Sequence, residues 1–280
     1  MRLLRKRIPL DCEIALAGDE HIGTILSHEV GIQDNIDWVM ADPERRFTIR
    51  MGDEIDAICT DDPRFMKEGG EIMTPMEQME VVRDAFKPIK NNIFCWLWGN
   101  HSQKLHRVGN LTHKLCKELG VDYGTWTSKI TFTDFDDNPL FKGYFCHGMR
   151  GTLRSQAKDY DQAQANLKAS LKLKLREKAA DCSIMACGHF HQLLIVEPAP
   201  KLYLTDDGKS VKQNYLTPGT LEKYIDPDRR WYACTGSFLK LFGEDMSGYA
   251  EIAGYNPVEL GYIIMEVRDG KIAGLRKKVV

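Results

Sequence analysis

The sequence predicts an α/β fold in which two sheets, flanked by helices, form one domain over residues 1–280. Apolar strand-like runs alternate with helical segments in the first half of the chain, and the C-terminal third is a succession of strands. No internal repeat or low-complexity linker divides the chain, and 280 residues are enough to bury one large core.

Three strands are predicted in the first hundred residues, and the second of them alternates polar and apolar side chains. They are CEIALAGD (12–19), RFTIRMGD (46–53) and NIFCWLWGN (92–100). Each run ends in glycine followed by aspartate or asparagine, which is typical of a buried strand that feeds a tight loop.

Helices are predicted between and after these strands. The first covers 28–41 and stops before Asp42-Pro43, because a residue that precedes proline avoids the α region. The second opens with the capping box Thr74-Pro75-Met76-Glu77 and ends near Lys87. A third covers 110–119 and stops at Gly120. Within the first helix, the residues predicted to be buried are Val30, Ile36, Trp38, Val39 and Met40.

The second half is predicted to begin with a hairpin of strands 129–135 and 140–147. A helix over 152–180 follows, since this stretch lacks glycine and proline and has leucines at i, i+4 spacing. The remaining strands are SIMACGH (183–189), QLLIVE (192–197), QNYLT, WYACTGSF, GYIIMEV and KIAGLRKK. Segment 197–260 is rich in turn residues, and we expect it to lay loops over the active site.

Composition limits the class of protein. A net charge of −2 excludes a uniformly basic nucleic-acid binder, so any basic surface is local. The eight cysteines form no CxxC pair and lie mostly in apolar runs, which predicts buried thiols in a reducing compartment. No stretch is long enough for a signal peptide or membrane span, so we expect a soluble, cytoplasmic protein without a membrane partner. The basic N-terminal cluster, residues 2–7, is predicted to be a solvated end.

Five short polar segments follow predicted strands and contain five of the eight histidines. They are Asp19-Glu20-His21, Gly52-Asp53, Gly99-Asn100-His101, His147-Gly148 and Gly188-His189-Phe190-His191. Loops at the carboxyl ends of strands are where α/β sheets bind ligands. Imidazole, carboxylate and amide groups bind first-row transition metals. These ligands are too many for one ion, so the sequence predicts a dinuclear centre, the type that hydrolyses phosphate esters.

The order of these segments resembles that of the calcineurin-like metallophosphoesterases, whose motifs are DxH, GDxxD, GNH(D/E), a lone histidine and GHxH. The match spans residues 19–191. The resemblance implies a four-layer α/β/β/α sandwich of two mixed sheets flanked by helices.

The resemblance also implies a role for each site residue. Asn100, His147 and His189 would bind one metal, and Asp53 would bridge to a second. The second metal would be held by Asp19, His21 and His191. A hydroxide activated by the metals would be the nucleophile, and His101 would be the general acid. Two divalent cations are expected. Mn²⁺ is favoured, but Fe, Zn and Ni remain open because ligand type does not separate these metals. A purely structural zinc site is excluded, since no cysteine lies in a motif.

The chain departs from the family pattern at Ser102, where the resemblance leads us to expect an acidic residue after GNH. That acid would orient the histidine and support its protonated form. Two alternatives stay open. Either Asp56 or Glu54 takes the role, or His101 is a weaker acid.

The motifs also narrow the substrate. The second motif ends in Asp56-Ala57-Ile58 rather than in Asp-Arg-Gly, so the chain does not resemble the protein phosphatases. The third motif is GNH rather than GNR, so the chain does not resemble the lipid A precursor pyrophosphatase. The chain is thus similar to the nuclease and cyclic-nucleotide phosphodiesterase side of the family, and to stand-alone phosphoesterases of bacteriophages and prophages. Residues 150–178 contain eight basic and three acidic side chains. Because this stretch starts three residues after His147, Arg150 and Arg154 at its beginning are predicted to contact a phosphodiester of DNA or a nucleotide.

Two alternative functions remain at the level of sequence. One is a phosphomonoesterase. The other is a metal-binding interaction module on the same fold, without turnover. The oligomeric state also stays open.

Overall fold

The structure is a computed structural model that describes residues 1–59, 73–107, 109–244, 249–252 and 254–280. The strands in these ranges are β1 (Arg2–Arg7), β2 (Cys12–Ala17), β3 (Arg46–Arg50), β4 (Ile93–Trp96), β5 (Thr127–Thr133), β6 (Pro139–Cys146), β7 (Ile184–Cys187), β8 (Leu193–Val196), β9 (Leu202–Asp206), β10 (Val211–Tyr215), β11 (Trp231–Thr235), β12 (Gly261–Arg268) and β13 (Lys271–Val279). The α-helices are α1 (Glu29–Met40), α2 (Pro75–Phe86), α3 (Asn100–Gln103), α4 (Leu111–Leu119), α5 (Tyr160–Leu175) and α6 (Tyr249–Ile252).

Two mixed sheets carry the fold. The first has the strand order β13-β12-β2-β3-β4, in which β2, β3 and β4 run parallel and β12 pairs antiparallel with β2. The second has the order β1-β5-β6-β7-β11-β8, in which β6, β7 and β11 run parallel. The hairpin predicted from the sequence is β5–β6.

The sheets and helices stack in four layers. Ile14 and Leu16 of β2 lie in the core between the two sheets, while Ala15 and Ala17 lie in the core beneath α1, α2 and α4. This division follows from the alternation of side chains along a strand. A third core lies between α5 and the outer face of the second sheet. The predicted fold class, a four-layer α/β/β/α sandwich, is confirmed.

The ends of the first helices were predictable from local chemistry. Thr74 and Glu77 form the predicted capping box at the start of α2, and Gly120 adopts φ +72° after α4. The predicted burial of Val30 and Met40 is wrong. The buried stripe of α1 runs through Ile32, Ile36 and Val39, which leaves those two side chains on the exposed face.

Two further predictions need correction. The helix predicted over 152–180 begins only at Tyr160, because Asp159 caps it by accepting a hydrogen bond from the Gln162 amide at 2.8 Å. Arg154, which lay within the predicted helix, therefore precedes the observed one. Arg2, Arg5 and Arg7 of the N-terminal cluster are exposed, as predicted, but the segment also forms strand β1, which the sequence did not indicate. This strand runs parallel to β5 and is held there in part by a 2.7 Å ion pair between Lys6 and Asp122.

Seven of the eight cysteines are buried and Cys59 is half-buried, as the apolar runs predicted. Among the described residues, no helix combines the length and the apolar character that a membrane crossing requires.

Candidate metal centre

The five polar segments converge at one end of the paired sheets. Asp19, Asp53 and Asn100 follow the parallel strands β2, β3 and β4, and His147 and His189 follow the parallel strands β6 and β7 of the other sheet. Parallel neighbours end at the same edge of a sheet, so both sheets deliver their loops to the same place. The predicted convergence is thus present in the structure.

Unusual backbone geometry marks these loops. In the described part of the chain, nine non-glycine residues have positive φ, and five of them are predicted ligands. These are Asp19, His21, Asp53, His189 and His191, with φ between 48° and 69°. Such conformations cost on the order of 1 kcal/mol or more each, and they collect at functional sites where the surrounding structure enforces them.

The predicted ligands lie in two clusters, each termed a ligand group below, and the first consists of Asp19, His21 and His191. The Nε2 atom of His191 lies 3.3 Å from Asp19 Oδ1 and 3.3 Å from His21 Nε2. The Asp19 Oδ2 atom accepts a hydrogen bond from the His189 amide at 2.9 Å, which fixes the carboxylate. Within the described residues, Asp19 Oδ1 is buried without a hydrogen-bond donor.

The other ligand group contains Asp53, His147, His189 and Asn100. His147 Nε2 lies 3.1 Å from Asp53 Oδ2 and 2.8 Å from Asn100 Oδ1. Its Nδ1 donates to the carbonyl oxygen of Met51 at 2.8 Å, a contact that orients the ring so that Nε2 faces the site. His189 offers a further ring nitrogen within 4.8 Å of the Asp53 and His147 ligand atoms.

The electrostatics of this pocket suit a cation. Burial alone would raise the pKa of Asp53, but the imidazoles of His147 and His101 hold it well below its usual range. Burial lowers the pKa of His189, which favours the neutral ring that can ligate a metal. The unpartnered Asp19 oxygen would be costly in an apolar interior, and a cation would satisfy it. The nitrogen and oxygen donors thus fit divalent transition metals.

His101 lies beside this site and contacts Asp56 rather than Glu54. The His101 Nδ1 atom is hydrogen-bonded to the Asp56 carbonyl oxygen and lies 3.7 Å from its carboxylate, which is also 3.4 Å from His21 Nδ1. Of the two carboxylates considered for the missing acid, the structure brings Asp56 to the histidine. Burial nevertheless lowers the pKa of His101, and the carboxylates of Asp53 and Asp56 offset only part of this effect.

Ser102 is engaged elsewhere. Its buried hydroxyl lies 3.0 Å from the Thr112 hydroxyl, which donates a hydrogen bond to Glu54. Burial raises the pKa of Glu54 to about 7. Ser102 thus belongs to a buried polar chain that ends at Glu54.

A buried ion pair beneath the ligands was missed in the sequence. Arg50 donates hydrogen bonds to the Glu20 carboxylate and, at 2.7 Å, to Asn35 Oδ1, and its guanidinium stacks over Phe86 with 4.5 Å to the ring centroid. Arg50 and Glu20 are both fully buried. The pair links the loop of Asp19 to β3, the strand that precedes Asp53. The available sequence signal was an arginine at the end of the alternating run RFTIR, directly before the buried Met51-Gly52-Asp53.

A cavity of about 920 Å³ adjoins the ligands. Its wall includes ligand residues, His101 and three other segments, which are 151–155, 239–241 and 254–259. Arg154 stacks over Tyr255 in this wall, with 4.5 Å to the ring centroid. The predicted contact residue Arg150 is exposed and is not part of the wall.

Neither a protein-family model nor a curated protein matches this chain. Solved structures with a similar architecture include the E. coli phosphoesterase YfcE, at a TM-score of 0.41 and 10% identity over 94% of this chain and 98% of that one. The calcineurin-like phosphoesterase YfkN from Bacillus subtilis has a TM-score of 0.37 and 11% identity over 96% and 90%. The Haemophilus influenzae NAD nucleotidase has a TM-score of 0.39 and 12% identity over 95% of this chain and 49% of its own.

Proposed function

We propose that this chain hydrolyses phosphate esters with two divalent cations, of which Mn²⁺ is our first choice. One observation carries the proposal: carboxylate, imidazole and amide donors from five strand ends, in both sheets, meet at one place, and those that follow β2, β3, β4 and β7 line one cavity. When bound, the cations would activate water and polarise the phosphoryl oxygens. We propose that each of the two ligand groups binds one cation, with the roles that the family resemblance implies.

The protein side chains prepare the site for this reaction. The two oxygens of Asp53 serve different partners, since Oδ1 accepts from the His101 amide at 2.8 Å and Oδ2 faces His147. Asp56 holds His101 through Nδ1, so the opposite ring nitrogen is the one proposed to deliver a proton to the leaving alkoxide.

For the substrate we propose a phosphodiester of a nucleotide or nucleic acid. A cavity of about 920 Å³ has room for a nucleotide-sized group. Phe190, between the ligands His189 and His191, lines the cavity and offers a face for a base, and Arg154 offers a guanidinium for a phosphate. Arg150 is proposed as a contact for substrate that extends beyond the cavity.

We also propose that segment 197–260 covers the active site within a single domain. The parts of it that support this are 239–241 and 254–259, because they line the cavity together with the ligands.

The test uses metal-loaded protein and four substrates: nitrophenyl phosphate, bis-nitrophenyl phosphate, single-stranded DNA and double-stranded DNA. We expect metal-dependent turnover that is highest on diesters and lost in Asp53→Asn. The matched control is Asp181→Asn, which removes a partly buried carboxylate that pairs with Lys129 and Lys142 outside the site and should retain turnover. Turnover confined to the monoester would support the phosphomonoesterase instead.

A second candidate is the metal-binding interaction module. The observations that favour it are the lowered pKa of His101 and the engagement of Ser102 with Thr112. Metal-induced thermal stabilisation without turnover on any of the four substrates would select this candidate.

A further inference from the structure

One wall of the cavity is built from the first half of helix α5. Tyr160, Ala163 and Leu167 line the cavity, and their spacing places them on one face of the helix. Further along the helix, Leu171 and Leu175 are fully buried in the core between α5 and the second sheet. The apolar stripe of α5 therefore packs on the sheet in its second half and faces the cavity in its first half.

Three more apolar side chains complete this part of the cavity. Leu153 precedes α5, and Leu194 belongs to β8. Both lie in the same apolar core as Leu167, and these three side chains line the cavity while being 4%, 2% and 8% exposed, respectively. Phe190, which lies between two of the ligand histidines, packs against this core and also lines the cavity. We call these four side chains, together with Ala163, the apolar lobe.

The apolar lobe extends sideways from the metal ligands. Leu194 pairs with Cys234, which pairs in turn with Cys187, two residues before the ligand His189. Neighbouring strands lie about 4.8 Å apart, so Leu194 is displaced by two strands, on the order of 10 Å, from the strand that leads to His189. A phosphate at the ligands would therefore leave the lobe for another part of the substrate.

The lobe carries little charge. Among the described residues of α5, β8 and segment 151–157 that line the cavity, Arg154 is the one charged side chain. Apolar walls favour an apolar group, because its surface gains free energy on leaving water, while a guanidinium favours an anion beside it. Tyr160 and Phe190 add aromatic surfaces, on which a ring packs in offset or edge-on contact. The lobe thus suits an aromatic ring attached to a phosphate.

We propose that the apolar lobe binds an aromatic ring carried by the substrate ester, which in a nucleotide is the base. The inference rests on the proposed function and adds the residues that select the substrate. The lobe lies on the side of the second sheet, whereas His101 follows β4 of the first sheet. The ring in the lobe therefore belongs to the ester group that His101 does not protonate and that stays on phosphorus.

Ala163 is the residue that sets the room in the lobe. It is half-buried and faces the cavity one helical turn before Leu167. Its methyl group leaves space that a larger side chain would fill. The exposed Ala165, two residues further along α5, does not line the cavity and provides a matched control for the same substitution.

The first arm of the test is turnover by the Mn²⁺-loaded protein. The methyl, phenyl and thymidine 5′-esters of nitrophenyl phosphate share one leaving group and differ in the group retained on phosphorus. We expect kcat/KM for the phenyl and thymidine esters to exceed that for the methyl ester at least about tenfold. Ala163→Trp should reduce this ratio to within about threefold of one, because the indole occupies the lobe, whereas Ala165→Trp should keep the wild-type ratio. Ala163→Leu is a milder filling variant should Ala163→Trp fail to fold, and far-UV circular dichroism verifies folding of each.

The second arm measures binding without turnover. Phenylphosphonate and methylphosphonate contain no ester bond, and calorimetry gives their dissociation constants for the Mn²⁺-loaded protein. Phenylphosphonate should bind at least about tenfold more tightly than methylphosphonate to wild type and to Ala165→Trp. The two phosphonates should bind Ala163→Trp with dissociation constants within about threefold of each other.

The outcomes separate this inference from the proposed function. Equal affinity of the two phosphonates for wild type, or an equal effect of Ala163→Trp and Ala165→Trp, would overturn the lobe even if every ester is hydrolysed. No turnover of any ester, with the phenyl preference intact in binding, would overturn the proposed function and support the lobe. A thymidine ester that exceeds the phenyl ester assigns the ring to a nucleobase, and the reverse order assigns it to a plain aryl group; both support the lobe.

Discussion

Replacing Glu20 by glutamine should destabilise the protein far more than a surface substitution does. Glu20 and Arg50 form a fully buried ion pair, and removing one partner of such a pair typically costs about 3–5 kcal/mol, because the other charge is left buried. Burial lowers the pKa of Arg50 to about 9, so its guanidinium stays protonated at neutral pH. Glutamine keeps one acceptor oxygen, which places the expected loss near about 3 kcal/mol.

The assay is thermal and urea unfolding in the presence of a chelator. For a chain of this size, about 3 kcal/mol corresponds to a fall in Tm of roughly 6–12 °C. The matched control is Glu222→Gln, since Glu222 accepts two hydrogen bonds from Arg229, at 2.8 and 2.7 Å, but is 40% exposed. It should cost less than about 1 kcal/mol.

The double variant Glu20→Gln/Arg50→Met separates a buried-charge penalty from a loss of packing. If the unpaired charge causes the loss, the double variant should recover stability relative to Glu20→Gln alone. Since Glu20 lies between Asp19 and His21, Glu20→Gln should also weaken Mn²⁺ binding measured by calorimetry. A loss no larger than that of Glu222→Gln, or strictly additive effects in the double variant, would refute the reasoning.

Three further predictions concern other parts of the structure. His101→Ala should reduce turnover more on alkyl phosphodiesters than on nitrophenyl esters, because only poor leaving groups need the proton, and equal losses would remove the general-acid role. Ser102→Asp should lower the urea midpoint, since it buries a second carboxyl in the polar chain of Glu54, whereas Ser102→Ala should have a small effect. The pKa of Asp181 is raised by burial but lowered more strongly by hydrogen bonds from Lys129 and Lys142. Its pKa in the folded protein therefore lies below the unfolded value of about 3.9. Wild type should therefore be more stable than Asp181→Asn above about pH 4, and this difference in unfolding free energy should vanish as the pH falls through the folded pKa of Asp181. A difference that persists in acid would contradict the role given to the Asp181 carboxylate.

Much of the candidate site was predictable because its signals are local. An apolar run that ends in glycine and a polar residue specifies both a buried strand and the loop after it, and this held for Asp19, Asp53 and Asn100. Two sheets flanked by helices followed from strands that alternate with helices and then accumulate, whereas the four-layer order was implied by the family resemblance.

Other features were hidden because they depend on tertiary contacts. The positive φ of His189 and His191 is enforced by surrounding loops and leaves no compositional mark. The pairing of Arg50 with Glu20, and of Ser102 with Thr112, joins residues that the chain separates by 30 and 10 positions, respectively. Strand β1 was missed because its charged side chains resemble a solvated end.

The central claim is that the donors hold two cations, and anomalous diffraction from crystals grown with Mn²⁺ tests it most directly. Two anomalous peaks are predicted, one in each ligand group, with the Asp53 carboxylate between them, and Asp53→Asn should lose at least one peak. The absence of any peak at the ligand groups, or a single peak confined to His21, Asp56 and His101, would contradict the account.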